Sequence, residues 1–140
     1  MYMPSNKTQK KRSTTTSFEN DLANTFMEML GMVKLFHWKT GSYATHVATD
    51  ELYAKLNKHI DKFMEVLFGK RESRIGGESM TLDIVNTEKT TAAKKRMAAY
   101  RRFLRNLDTR LDTEKDSELL SIRDDILNDL HQFTYLLSLK

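Results

Sequence analysis

Histidine and carboxylate side chains are concentrated in residues 36–66 of this chain. The stretch holds three of the four histidines, the only tryptophan and four acids: His37, His46, His59, Trp38, Asp50, Glu51, Asp61 and Glu65. Imidazole nitrogen and carboxylate oxygen are ligands that iron, zinc and manganese accept. The stretch therefore offers two interpretations, a metal site or the solvated face of a helix.

Helical spacing places part of this set on one face. At 100° per residue, His46, Asp50, Asp61 and Glu65 fall within one stripe of about 100°, beside the apolar face. Acids and histidines on the outer side of a helix are common, so a solvated face stays open as the alternative. His59 falls on another side and is expected to be a surface or packing histidine.

The length of that helix limits what one copy can do. Asp50 and Asp61 are about 16 Å apart along the axis, and His46 and Glu65 about 28 Å. A metal ion needs its ligands within roughly 2 to 2.6 Å. Two antiparallel copies could place the His46 end of one chain opposite Asp61 and Glu65 of the other, giving two equivalent sites. His37 could add a nitrogen on the His46 side.

Apolar periodicity predicts the elements that would position these residues. We expect helices over about 17–41, 43–68, 88–111 and 116–139, the first started by a Thr16–Glu19 capping box and the second closed by Gly69. Gly31 suggests close packing against a neighbour. Residues 70–87 are too long for a tight turn and suggest a crossover that could carry a short helix. The predicted fold class is all-α, a ferritin-like four-helix bundle with a long crossover between helices 2 and 3.

Residues 1–16 form a separate basic tail before the bundle of residues 17–140. The cations Lys7, Lys10, Lys11 and Arg12, with no acid among them, account for the whole net charge of +4. Such a tail could bind DNA phosphates without reading sequence, or it could only improve solubility.

Composition excludes several classes of protein. Without cysteine, neither disulfides nor thiolate-bound zinc are available. No apolar run approaches the roughly 20 residues that span a bilayer, and the N-terminal residues lack the apolar stretch typical of a secretory signal. We expect a cytoplasmic protein with no membrane partner.

The run "HWKTGSYATHVATDELYAKLNKHIDKFME" resembles the miniferritins, the Dps family of DNA-binding proteins from starved cells. His46, Asp50, Asp61 and Glu65 match the family's ligand positions at its spacing, and His37 with Trp38 matches its His-Trp pair. The chain is also similar to uncharacterised ferritin-like proteins of large DNA viruses, which would place it in a virion or a host-cell compartment.

The resemblance implies a homo-oligomeric shell, usually a dodecamer, built on two-fold dimers across helix 2. It implies intersubunit ferroxidase sites that oxidise Fe(II) with hydrogen peroxide or oxygen and store the ferric product. Carried over, His37 and His46 would bind iron from one subunit, and Asp61 and Glu65 from the other. Asp50 would be a further ligand or would orient a histidine, with Trp38 beside the site. No catalytic residue beyond these ligands is implied, and Zn or Mn could replace Fe.

One departure from the family concerns the link between the histidines. His37 and His46 are separated by a shorter segment than the family has, so one or both helix ends must shift by nearly a turn. His37 could then point away from the site, and we rank it below His46, Asp61 and Glu65. The departure keeps an alternative open: a non-enzymatic structural or DNA-packaging protein that retains the fold.

Overall fold

Within residues 17–139, the part of the chain that this computed structural model describes, every regular element is helical. The elements are α1 (Phe18–Lys39), α2 (Tyr43–Arg71), α3 (Thr90–Asn106), a short 3-10 helix (Leu107–Thr109) and α4 (Ser117–Leu137). The predicted all-α class is confirmed. The basic tail and Thr16 of the predicted capping box lie outside the described residues.

Short polar side chains start the first two helices. The Ser17 hydroxyl accepts a hydrogen bond from the Asn20 N–H at 3.1 Å, and the Ser42 hydroxyl accepts one from the Thr45 N–H at 3.2 Å. Each bond satisfies a backbone donor that the first helical turn would otherwise leave free. The residues between the two helices therefore make a tight turn with a defined start for α2.

The prediction that Gly69 closes the second helix is wrong. α2 continues to Arg71 and ends at Glu72, which adopts the left-handed conformation with φ of 49°. Lys70 binds Glu118 and lies 3.3 Å from Asp116 at the start of α4, and Arg71 lies 3.5 Å from Glu19 of α1. These tertiary contacts stabilise the last turn of α2.

The apolar faces of the four helices meet in one core. The buried side chains include Phe26 and Phe36 of α1, Phe63 of α2, Met97 of α3 and Phe133 of α4. α2 packs against both α1 and α4, and α3 packs against α4. Burial of these faces is the main stabilising term of the fold.

The connection between α2 and α3 carries no helix or strand, so the short helix suggested for it is absent from the described residues. Three α1 side chains at four-residue spacing bind its backbone: Asn20 bonds both N–H and C=O of Gly76, Asn24 donates to the Thr81 carbonyl, and Glu28 accepts from the Asp83 N–H. The connection therefore runs along α1 from its start toward its end.

Gly31 lets this connection lie close to α1. A Cβ atom at Gly31 would come within 2.6 Å of the Ile84 Cδ1 atom. The neighbour predicted from this glycine is therefore the connection itself. After the connection, α3 leads back to the start of α1. Arg110, shortly after the end of α3, lies 3.1 Å from Asp21 in the first turn of α1. α3 thus runs in the same direction as α2.

Candidate metal centre

The end of α1 and the start of α2 bring two histidines into contact. The rings of His37 and His46 stack with centroids 3.8 Å apart and planes 17° from parallel. His46 is exposed and His37 is half-buried. The shortened link between them therefore does not turn His37 away, as we expected it could; it closes the turn until the two rings meet.

Each histidine is fixed by the backbone of the other. The Nδ1 atom of His37 lies 2.9 Å from the His46 carbonyl oxygen, and the Nδ1 atom of His46 lies 3.0 Å from the His37 carbonyl oxygen. A carbonyl oxygen only accepts, so both Nδ1 atoms carry the proton and donate. In the neutral imidazoles, both Nε2 atoms then keep a lone pair. Fixing one ring nitrogen in this way is how proteins prepare the other as a metal ligand.

Thr49 supports this pair from beneath and was not singled out by the sequence. Its side chain is fully buried, and its hydroxyl lies 2.9 Å from the carbonyl oxygens of Thr45 and His46. The same hydroxyl lies 2.9 Å from Nδ1 of His37. The sequence did contain a signal for Thr49, because this polar residue falls in line with Leu56 and Leu67 on the apolar face of the helical wheel.

The predicted acids lie elsewhere on α2. Asp50, Asp61 and Glu65 are all exposed. Because α2 is one unbroken helix, Glu65 stays about 28 Å from His46 along the axis. Within residues 17–139, no group of three or more His, Cys, Asp or Glu side chains is arranged to hold a metal ion. A site that combines the histidines with Asp61 and Glu65 would need a second copy.

Three large apolar side chains in the same segment as the histidine pair are exposed. Trp38 is 69% exposed, Tyr43 82% and Val47 47%. Trp38 directly follows His37, so the only tryptophan of the chain lies next to the pair. Its fluorescence can report events at this end of the molecule.

A second histidine contact joins α2 to α4. The Nδ1 atom of His59 lies 2.5 Å from Oδ2 of Asp129, which is buried. Burial raises the pKa of the Asp129 carboxyl, and the contact with His59 opposes that rise. His59 was expected to be a surface or packing histidine, and its acidic partner was missed. The sequence signal for Asp129 was its position between Ile126 and Leu130 in the chain, two residues that face inward on α4.

Over residues 17–139, fold and site together define a helical domain with a histidine pair fixed by backbone hydrogen bonds at one end. Residues 37–137 match the family of unknown function DUF5856, and the chain belongs to this family. The match covers the histidine pair and all of α2, α3 and α4. No curated protein and no solved structure matches the chain. No helix among the described residues is long and apolar enough to cross a membrane.

Proposed function

We propose that this chain is a miniferritin-like protein that binds and oxidises Fe(II) at intersubunit sites of a homo-oligomeric shell. The helix order supports a ferritin-like bundle. α1 and α2 are joined by a tight turn, a long connection follows along α1, and α3 and α4 are again joined closely. In this arrangement α2 and α3 run in the same direction, as a bundle with one crossover requires.

The observation that carries the proposal is the backbone-fixed pair of His37 and His46. Because the Nδ1–H tautomer of each ring is already fixed, both Nε2 lone pairs can bind a metal without a change of tautomer. Histidines that served only the surface would not need both Nδ1 atoms tied to carbonyl groups. Nitrogen ligands of this kind suit Fe(II), and they also accept Zn(II) or Mn(II).

The other half of the site is assigned to a partner subunit. Asp61 and Glu65 are one helical turn apart, so their carboxylates can approach the same ion from one helix face. Asp50 stands one turn after His46 and can bind the ion or orient that histidine. Across a two-fold axis between α2 helices, each histidine pair would meet one acid pair, which gives two sites per dimer.

Iron is the substrate in this scheme. Two Fe(II) ions each give up one electron to one hydrogen peroxide, which takes up two protons and leaves as two water molecules. The chain contributes ligands that hold the ions while they are oxidised, and the shell would keep the ferric product. The basic tail, with Lys7, Lys10, Lys11 and Arg12, would add sequence-independent DNA binding.

An anaerobic Fe(II) titration followed by peroxide tests the proposal. The wild-type protein should oxidise iron rapidly, and Asp61→Ala/Glu65→Ala should lose the fast phase. The matched control, Glu88→Ala/Glu114→Ala, removes two other exposed acids and should behave as wild type. Equal oxidation by all three proteins would exclude the ferroxidase and leave the non-enzymatic structural role.

Oligomer size gives a second, independent test. Sedimentation should find an assembly, with a dodecamer as the expected form. A stable monomer would remove the intersubunit site altogether, because the two ends of α2 cannot meet in one chain.

A further inference from the structure

α3 differs from the other helices in its charge. Within Thr90–Asn106 it carries six cations and no acid: Lys94, Lys95, Arg96, Arg101, Arg102 and Arg105. None of them is ion-paired with a carboxylate of residues 17–139. Some cations on the other elements, such as Lys70 and Arg123, do have such partners. The positive charge of α3 is therefore not neutralised by its own fold.

Five of these cations share one side of the helix. The core side is marked by Ala93, Met97, Tyr100 and Leu104. On a wheel at 100° per residue, Lys95 and Arg102 lie opposite that side. Lys94, Arg101 and Arg105 complete a stripe about 120° wide and about 17 Å long. We call these five cations the α3 basic face.

The side chains between these cations are small. Thr91 and Ala98 fall in the middle of the stripe, so a backbone could approach the helix closely. No large apolar side chain of α3 is exposed among the described residues. The apolar side of α3 lies in the core, so it is not free to enter a membrane. A protein partner would normally find aromatic or aliphatic anchors, which this face does not offer.

We infer that the α3 basic face binds the phosphate backbone of duplex DNA independently of sequence. Five charges over about 17 Å approach the density of one DNA strand, which has one phosphate per 3.4 Å. Arginine can bind phosphate oxygens in a bidentate manner. Single-stranded nucleic acid is usually held by exposed aromatic rings as well, and α3 has none exposed.

This surface is separate from the proposed iron chemistry and from the basic tail. None of its residues belongs to the histidine pair or to the acids of α2. Arg101 also donates a hydrogen bond to the Thr134 hydroxyl at 3.1 Å, which holds the core-side edge of the stripe against α4. DNA binding through α3 would therefore persist if the iron proposal failed.

The test uses the full chain with its tail cations neutralised as Lys7→Gln, Lys10→Gln, Lys11→Gln and Arg12→Gln. Binding of a short mixed-sequence duplex is measured by fluorescence anisotropy against salt. Five phosphate contacts predict a slope of log K against log salt of about −4.5, or about a 500-fold loss between 50 and 200 mM salt.

In the same background, Lys95→Ala/Arg102→Ala should make the slope of log K against log salt less steep by about 1.8. The loss of affinity between 50 and 200 mM salt should then be about 40-fold. The matched control, Lys39→Ala/Arg74→Ala, removes one exposed lysine and one exposed arginine elsewhere and should keep the parent slope. Circular dichroism melting establishes that each variant is folded. Parent-like slopes in both variants, or equal losses in both, would overturn the inference. Tighter binding of a single strand, an acidic polypeptide or anionic vesicles would overturn it as well.

Discussion

Both histidine contacts described above involve the Nδ1 atom of the ring, but the group that faces this atom differs between them. In the pair of His37 and His46, each Nδ1 donates to a neutral carbonyl group at an exposed helix end. In the second contact, Nδ1 of His59 faces the carboxylate of Asp129, which is buried between α2 and α4.

The acceptor determines what each imidazole can do. A carbonyl fixes the tautomer without attracting a second proton, so the opposite nitrogen stays available to a metal. A buried carboxylate instead pairs with the ring and ties α2 to α4. The first pair is therefore suited to binding and the second to holding two helices together. Separate measurements of stability and metal affinity can test this division.

The largest expected effect is on stability. His59→Ala would leave the Asp129 carboxylate buried without its partner and should lower the free energy of unfolding by about 3 kcal/mol. Urea denaturation at neutral pH measures this loss. His131→Ala removes an exposed histidine of α4 and should change stability by less than about 0.5 kcal/mol. Similar losses in both variants would remove the special role of the buried pair.

The next effect is on metal affinity. His46→Ala removes a ligand and should weaken Zn(II) or anaerobic Fe(II) binding by about 100-fold, with little loss of stability. Calorimetry measures the affinity, and Trp38 fluorescence follows binding beside the site. His59→Ala should keep the affinity of the wild type. If His59→Ala abolished metal binding while His46→Ala did not, the roles of the two pairs would be reversed.

A smaller effect concerns the residue beneath the first pair. Thr49→Val keeps the side-chain shape but removes the hydroxyl near Nδ1 of His37, and it should weaken metal binding by about tenfold. Thr49→Ser keeps the hydroxyl and should restore most of the affinity. Equal affinities for the valine and serine variants would show that Thr49 acts through packing alone.

The smallest effect is a dependence of stability on pH. Because burial raises the pKa of Asp129 in the folded protein, the folded state holds this proton more tightly than the unfolded chain. The resulting stability is complete below the ordinary carboxyl pKa of about 3.9 and is lost as pH rises through the folded pKa. Asp129→Asn should lack this component, so its stability relative to wild type should rise across that interval. Denaturation at a series of pH values measures it, and a relative fall would contradict the assignment.

Much of the fold was predictable because helical periodicity marks which side chains face inward. Leu52, Leu56 and Ile60, which recur at helical spacing in α2, are all buried. The end of α2 was not predictable, since Lys70 and Arg71 find their acidic partners on α4 and α1. The connection after α2 was recognised by its length, but its attachment to α1 depends on side chains far away in the sequence.

For the candidate site, the sequence by itself determined the residue types, the helical stripe and the distance between its two ends. These follow from local geometry, since a helix has a fixed turn and rise. Only the tertiary structure decided that His37 stacks on His46, that Thr49 lies beneath them, and that His59 meets Asp129. Those contacts depend on how helix ends and faces pack, which no spacing within one segment specifies.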